Sequence, residues 1–308
     1  MEKKLSEDFD NFINKISLNQ VLKDDIINKH TSLTSMIKED PPEGYDIIKT
    51  RISGSYGKKI EINEYDPNKN PDVDIVLIIN SNKDDPITII NDFYNYLKDK
   101  KANVVKEVRI QSNSIGLKYK NIDVDIVLAK ENSDGSLRIA SNKHNCWVNS
   151  NCLKQIDYMN LQSNKYTTFK YRDMMKLFKY LNKEILNTKI KSFTLEMLIH
   201  LCIPTPSVDL TLWKAFSDTL GKMVALKQID DIKDCCDYNK NGYDEKDRIS
   251  FAKFQAEIKI LYDKSILALN GNRKKWEEIF GDRFPEQPNI VVKNNNKTNA
   301  SQTPWCYE

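Results

Sequence analysis

The six residues Asp72-Val-Asp-Ile-Val-Leu77 recur unchanged at Asp123-Val-Asp-Ile-Val-Leu128. Aliphatic and β-branched residues at this density read as strands buried on both faces. Carboxylates two residues apart on a strand point to the same side. The segments around the two copies do not match, so two neighbouring strands of one sheet explain the echo better than a duplicated domain. Asp72 and Asp74 are therefore expected to share one face, and Asp123 and Asp125 another face beside it.

Upstream of the first copy stands Gly54-Ser55, followed by a short helical or turning piece and the turn-rich loop Asp66-Pro-Asn-Lys-Asn-Pro71. A Gly-Ser at a helix start lets backbone N–H groups and one hydroxyl approach a phosphate chain. Two carboxylates beside such a cradle make a site for Mg²⁺ bridging phosphate oxygens. A pair of ions about 3.5–4 Å apart needs a further acidic ligand. The second copy offers it. Either piece alone reads as an ordinary turn or strand start, but the two in this order do not.

The apolar spacing predicts helices over residues 3–38, broken by Asp40-Pro-Pro-Glu-Gly44, and over 86–101, started by Asp84-Asp85-Pro86. Val104–Ile110, Ser114–Tyr119 and Ile122–Ala129 alternate as strands. After residue 150 the pattern turns helical: Tyr166–Leu186 as one long amphipathic helix, then Phe193–Cys202, Leu210–Leu226 and Ile249–Leu269. The expected organisation is a mixed α/β unit over residues 1–150, a helical unit over 151–292 and a polar tail over 293–308.

Composition matters mainly for what it excludes. A net charge of +3 over 308 residues sets up no global basic field that would demand nucleic acid. The longest apolar run, Ile75–Ile79, falls far below the roughly 18 residues of a membrane span, and Met1-Glu-Lys-Lys opens no apolar targeting segment. Six cysteines at this length fit reduced thiols in a cytoplasm rather than a disulfide framework. His144, Cys146 and Cys152 lack a fourth ligand for zinc, and Cys235-Cys236 has no nearby histidine. No zinc is expected.

Gly-Ser, then Asp-x-Asp on a strand, then a later strand Asp resembles the signature of polymerase-beta-like nucleotidyltransferases. Among these, the chain is similar to the cyclic GMP-AMP synthase and DncV-like enzymes (CD-NTases) of bacterial anti-phage systems (CBASS). Lys176-Leu-Phe-Lys-Tyr-Leu181 resembles their helix of nucleotide-contacting lysines, and Ser192-Phe-Thr-Leu-Glu196 their Ser-[Phe/Tyr]-x-x-Glu motif. Trp276-Glu-Glu-Ile-Phe-Gly281 with Phe284-Pro285 resembles the C-terminal end of bacterial members. Ile60 departs from the pattern, standing where bacterial relatives often carry Thr.

The resemblance implies an α+β fold, with a polymerase-beta-like core of mixed sheet and helices plus a C-terminal helical domain, two lobes around a central cleft. An N-terminal helix would bridge the lobes. It also implies a cytoplasmic synthase making a cyclic di- or trinucleotide second messenger from NTPs, ATP or GTP foremost. Asp72 and Asp74 would hold two Mg²⁺ or Mn²⁺ ions, and Asp125 the catalytic one. Asp125 is preferred to Asp123 because Val124–Ala129 matches the family strand best. Gly54, Ser55 and Lys179 would meet the phosphates, Lys176 less so, and Ser192 and Phe193 the nucleotide. From the residues alone, Ser192 is equally a helix cap with Glu196 completing a capping box. RNA is the leading activator, with Lys98–Lys106 as a basic patch, and the product would reach a downstream effector without stable contact. Two other readings stay open: transfer to an RNA or protein acceptor, and a catalytically silent nucleotide- or RNA-binding regulator.

Overall fold

The computed structural model describes residues 2–63 and 69–286. The chain opens with helices α1 (Glu2–Ile16) and α2 (Gln20–Glu39), then strand β1 (Asp46–Ile52) and a one-turn helix, α3 (Gly54–Gly57). Next come β2 (Asp72–Asn80), α4 (Pro86–Lys101), β3 (Glu107–Ile110), β4 (Ile115–Lys118), β5 (Asp123–Glu131), β6 (Leu137–Ser141) and β7 (Cys146–Ser150). The second half holds α5 (Cys152–Lys165), α6 (Tyr171–Tyr180), α7 (Ser192–Cys202) and α8 (Leu212–Ala225). The short hairpin β8 (Lys233–Asp234) and β9 (Asp237–Asn241) precedes α9 (Asp247–Leu269) and α10 (Lys274–Phe280). The fold is α+β, with the polymerase-beta-like arrangement of a mixed sheet and helices.

The main sheet runs β1-β2-β5-β4-β3, with β6 and β7 added along the far end of β5. β2 and β5 are its parallel pair, and their register sets Asp72 opposite Asp123 and Asp74 opposite Asp125. The two copies of the repeated segment thus lie side by side in matching register. Ile75, Leu77, Val124, Ile126 and Leu128 are buried under Ile89, Ile90, Phe93 and Leu97 of α4. Asp85 caps α4 by accepting from the Thr88 N–H at 2.8 Å, and Pro86 fills its first turn.

A second core fills the helical half and draws in α1. The Phe9 ring meets Trp276, Phe280 and Phe284 edge-on at 5.2–5.7 Å between centroids. Each such fully buried ring stabilises the packing by about 1.5–3 kcal/mol. Ile60 and Ile62, which directly follow α3, belong to this second core rather than to the sheet's. Ile62 bridges to Ser17 at the end of α1.

Several expectations need correcting. The helix expected from Tyr166 begins at Tyr171, because the Tyr166 hydroxyl donates to Pro204 O at 2.8 Å and Thr168 Oγ1 to Leu210 O at 2.5 Å. Those bonds tie the approach to a neighbouring loop, and the far end widens into a π-helical turn over Leu181–Ile185. The strand expected from Val104 starts at Glu107, since the Val104 and Val105 N–H groups still bond Lys101 O and finish α4. β6, β7, α5 and the β8–β9 hairpin were not foreseen. The loop Asp66–Pro71 lies partly, and the tail 293–308 wholly, outside the described residues. Among those residues, no helix is long and apolar enough to cross a membrane.

Candidate active site

Parallel pairing of β2 and β5 delivers the carboxylates. Oxygens of Asp72, Asp74 and Asp125 lie within 4.8 Å of one another. Desolvation, then the charges of Asp125, Asp74 and Glu61, push Asp72 at the exposed rim up to about 8. Asp74 rises to about 6 through burial, then Asp125 and Glu61, against the pull of Lys58 and Lys179. Burial also raises Asp125, opposed by Ser114 and Arg109. Three crowded, partly desolvated carboxylates are unfavourable together unless protons or a cation neutralise them. Their hard oxygens fit a divalent ion such as Mg²⁺ or Mn²⁺.

Asp125 is held by residues that the sequence did not announce. Gln111 Nε2 donates to its Oδ1 at 3.0 Å, and Ser114 Oγ to its Oδ2 at 3.2 Å. Gly116 on β4 lies opposite Asp125, where a Cβ would stand 2.5 Å from Gln111 Nε2. Asp123, by contrast, accepts from Asn70 Nδ2 at 2.9 Å in the approach to β2. The only signal for Gln111 and Ser114 is their place in the polar turn just before a strand that pairs with the second Asp-x-Asp.

The Gly-Ser turn is built onto the same cluster. Gly54 adopts φ +61°, and a Cβ there would lie 1.7 Å from Asp74 Oδ2. Only glycine combines that dihedral with that approach. The Ser53 N–H donates to Asp74 O at 2.8 Å, so the turn is stitched to β2 directly. Ser55 follows, half-buried, in the single turn of α3.

Four buried charges close the far side of the turn. Lys58, next after α3, donates to Glu196 Oε2 on α7. Lys179 on α6 is 3% exposed, with its Nζ 3.9 Å from Glu61 Oε2. Burial lowers the Lys179 pKa, against the support of Glu61 and Glu196. Lys176 points elsewhere, donating to Ser17 Oγ at 2.9 Å and lining a cavity of about 620 Å³ with Lys23 and Lys59.

Ser192 is exposed at the start of α7, and Phe193 is half-buried against the helical core. The capping box is not formed. Asp247 instead accepts from the Lys191 N–H at 3.1 Å and from Thr194 Oγ1 at 2.5 Å, while Glu196 is taken by Lys58. Cys235 and Cys236 lie beside Asp234, ligand atoms within 4.8 Å, a set one short of zinc's usual four. Asp234 is already engaged by Asn151 Nδ2 at 3.1 Å and the Cys236 N–H at 2.9 Å. The basic patch falls at the end of α4, where Lys100 pairs with Asp40 at 2.6 Å.

Residues 3–163 match the profile of the Second Messenger Oligonucleotide or Dinucleotide Synthetase domain. No curated protein matches the sequence. Among solved structures, Escherichia coli MS115-1 CdnC with ATP superposes with a TM-score of 0.69 at 16% identity, over 91% of this chain and 98% of that one. The Bradyrhizobium diazoefficiens CD-NTase CdnG in complex with GTP gives 0.65 at 13%, over 90% and 95%. The Vibrio cholerae cyclic AMP-GMP synthase DncV, a prokaryotic cGAS homolog, gives 0.63 at 13%, over 77% and 70%. At these identities the likeness speaks for the fold.

Proposed function

The chain belongs to the family of second messenger oligonucleotide or dinucleotide synthetases, and on that premise we propose that it joins NTPs into a cyclic di- or trinucleotide for bacterial anti-phage signalling. The observation that carries this reading is the Asp72–Asp74–Asp125 cluster, assembled across a parallel strand pair and touching the Gly54 turn. ATP and GTP are the favoured substrates, in keeping with the nucleotides in the CdnC and CdnG structures. The product would act on an effector without a lasting contact, and RNA is the first activator to try.

Asp72, Asp74 and Asp125 would hold Mg²⁺ or Mn²⁺, which when bound neutralises phosphate charge and acidifies a ribose hydroxyl. The chain's own residues do the rest. The Gly54–Ser55 turn offers backbone N–H groups and a hydroxyl to the β- and γ-phosphates. Lys179 adds a buried positive charge beside them. Gln111 and Ser114 keep the Asp125 carboxylate facing the cluster. Phe193 supplies a ring for base stacking. No side-chain nucleophile is required. The reading is tested by following pyrophosphate release from ATP and GTP with Mg²⁺ or Mn²⁺. Release by wild type and its loss in Asp74→Asn or Asp125→Asn support it, and no release under any of these conditions, with or without added RNA, rejects it.

A further inference from the structure

We propose that Glu196 is a positioning residue: through Lys58 it fixes α3, and with it the Gly54–Ser55 turn, against the helical half, a role that rests on the nucleotidyltransferase reading above. α3 is a single turn and cannot hold its own place. On one side it is stitched to β2 by the Ser53–Asp74 bond and the Gly54–Asp74 contact. On the other side Lys58 is gripped twice. Its ammonium meets Glu196 on α7, and its carbonyl accepts from Arg172 Nε of α6 at 3.0 Å. Ile60 and Ile62 then run fully buried into the second core.

Glu196 is not spent on capping its own helix, and its charge faces Lys58 and, farther off, Lys179. Asp247 does the capping of α7, so the carboxylate that the motif suggested for that purpose is free to face the other lobe. Lys58 and Glu196 are 7% and 3% exposed, so neither reaches bulk solvent to be satisfied there. Apolar residues of similar volume would stabilise such a site at least as well. What the charges add is direction, because a desolvated, hydrogen-bonded pair tolerates little sliding. Lys179–Glu61 lies alongside at a longer 3.9 Å, and both lysines act on Asp74. The turn that receives phosphate is thereby set by the two lobes together, rather than by the sheet alone.

The test uses the full chain, with Mg²⁺ and α,β-methylene-ATP as the binding probe, alongside steady-state pyrophosphate release. Glu196→Gln is expected to weaken probe binding and raise KM by about tenfold or more, with kcat changed by no more than about threefold. Because the single change can unfold the chain, Lys58→Met with Glu196→Leu is measured beside it. This apolar pair is expected to melt at or above the wild-type temperature yet bind the probe as weakly as Glu196→Gln. Wild-type affinity in the apolar pair, or in a folded Glu196→Gln, overturns the positioning role and leaves the function untouched. A wild-type protein that neither binds the probe nor releases pyrophosphate overturns the function, and the role with it.

Discussion

Gly54 and Asp74 approach so closely that a single added Cβ would stand 1.7 Å from the Asp74 carboxylate oxygen. The Gly54–Ser55 turn and the acidic cluster are therefore one structure, joined where glycine is required twice, by its φ of +61° and by lack of space. Gly54→Ala is expected to lose at least ~100-fold in pyrophosphate release, since displacing catalytic groups by about 1 Å costs on that order. It should also destabilise the fold by about 1–3 kcal/mol through backbone strain. Wild-type turnover in this variant contradicts the shared geometry.

Crowding of the carboxylates has a consequence for stability. Asp72 and Asp74 titrate near 8 and 6 in the folded chain, and Asp125 is raised as well, whereas unfolded aspartates titrate near ~3.9. Between those values the folded state binds more protons than the unfolded one. The contribution of these groups is thus fully present below about pH 4 and is lost as pH rises toward 8. In EDTA the Tm should fall from pH 5 to pH 8, and Mg²⁺ should restore it more at pH 8. Asp72→Asn should flatten the slope, and a slope unchanged in that variant counts against this assignment.

Gln111→Ala frees one oxygen of Asp125 from its 3.0 Å donor. Loss of a partner that orients a metal-ligating carboxylate typically costs about 10–100-fold in metal affinity. The Mg²⁺ concentration for half-maximal turnover should rise within that range, while Tm in EDTA changes little. An unaltered Mg²⁺ titration places Gln111 outside the site.

What could be read in the sequence follows from strand periodicity. Identical Asp-Val-Asp-Ile-Val-Leu segments carry their own register, and pairing them in parallel brings Asp74 and Asp125 together. Gln111 and Ser114 stayed hidden because a polar turn looks the same whether or not it faces a carboxylate. The β6–β7 and β8–β9 hairpins escaped because their burial does not alternate: β7 and β9 have no buried residue, and in β6 Leu137, Ala140 and Ser141 are buried around the half-buried Arg138 and Ile139. Glu196 looked like half of a capping box because the cap, Asp247, is supplied from another helix far along the chain. Long-range partners of this kind leave no local pattern.

Phe193 lies at the first turn of α7, half-buried at the edge of the helical core. If its ring stacks on one base of a linear intermediate, Phe193→Ala should let that intermediate escape. Stacking on an aromatic ring is worth about 1–3 kcal/mol per base, so cyclic product should fall about 5-fold or more while the first pyrophosphate release is nearly kept. Equal losses in both would show that the ring only supports packing.

Ring closure separates a cyclic-nucleotide synthase from a polymerase-like transferase, and one measurement addresses it directly. The protein is incubated with ATP, GTP and Mg²⁺, the products are treated with alkaline phosphatase, and the mixture is resolved by chromatography with mass detection. A closed ring carries no terminal phosphate, so the expected product survives the phosphatase unchanged and has the mass of a cyclic di- or trinucleotide. A product wholly sensitive to phosphatase contradicts it and directs attention to an RNA or protein acceptor instead.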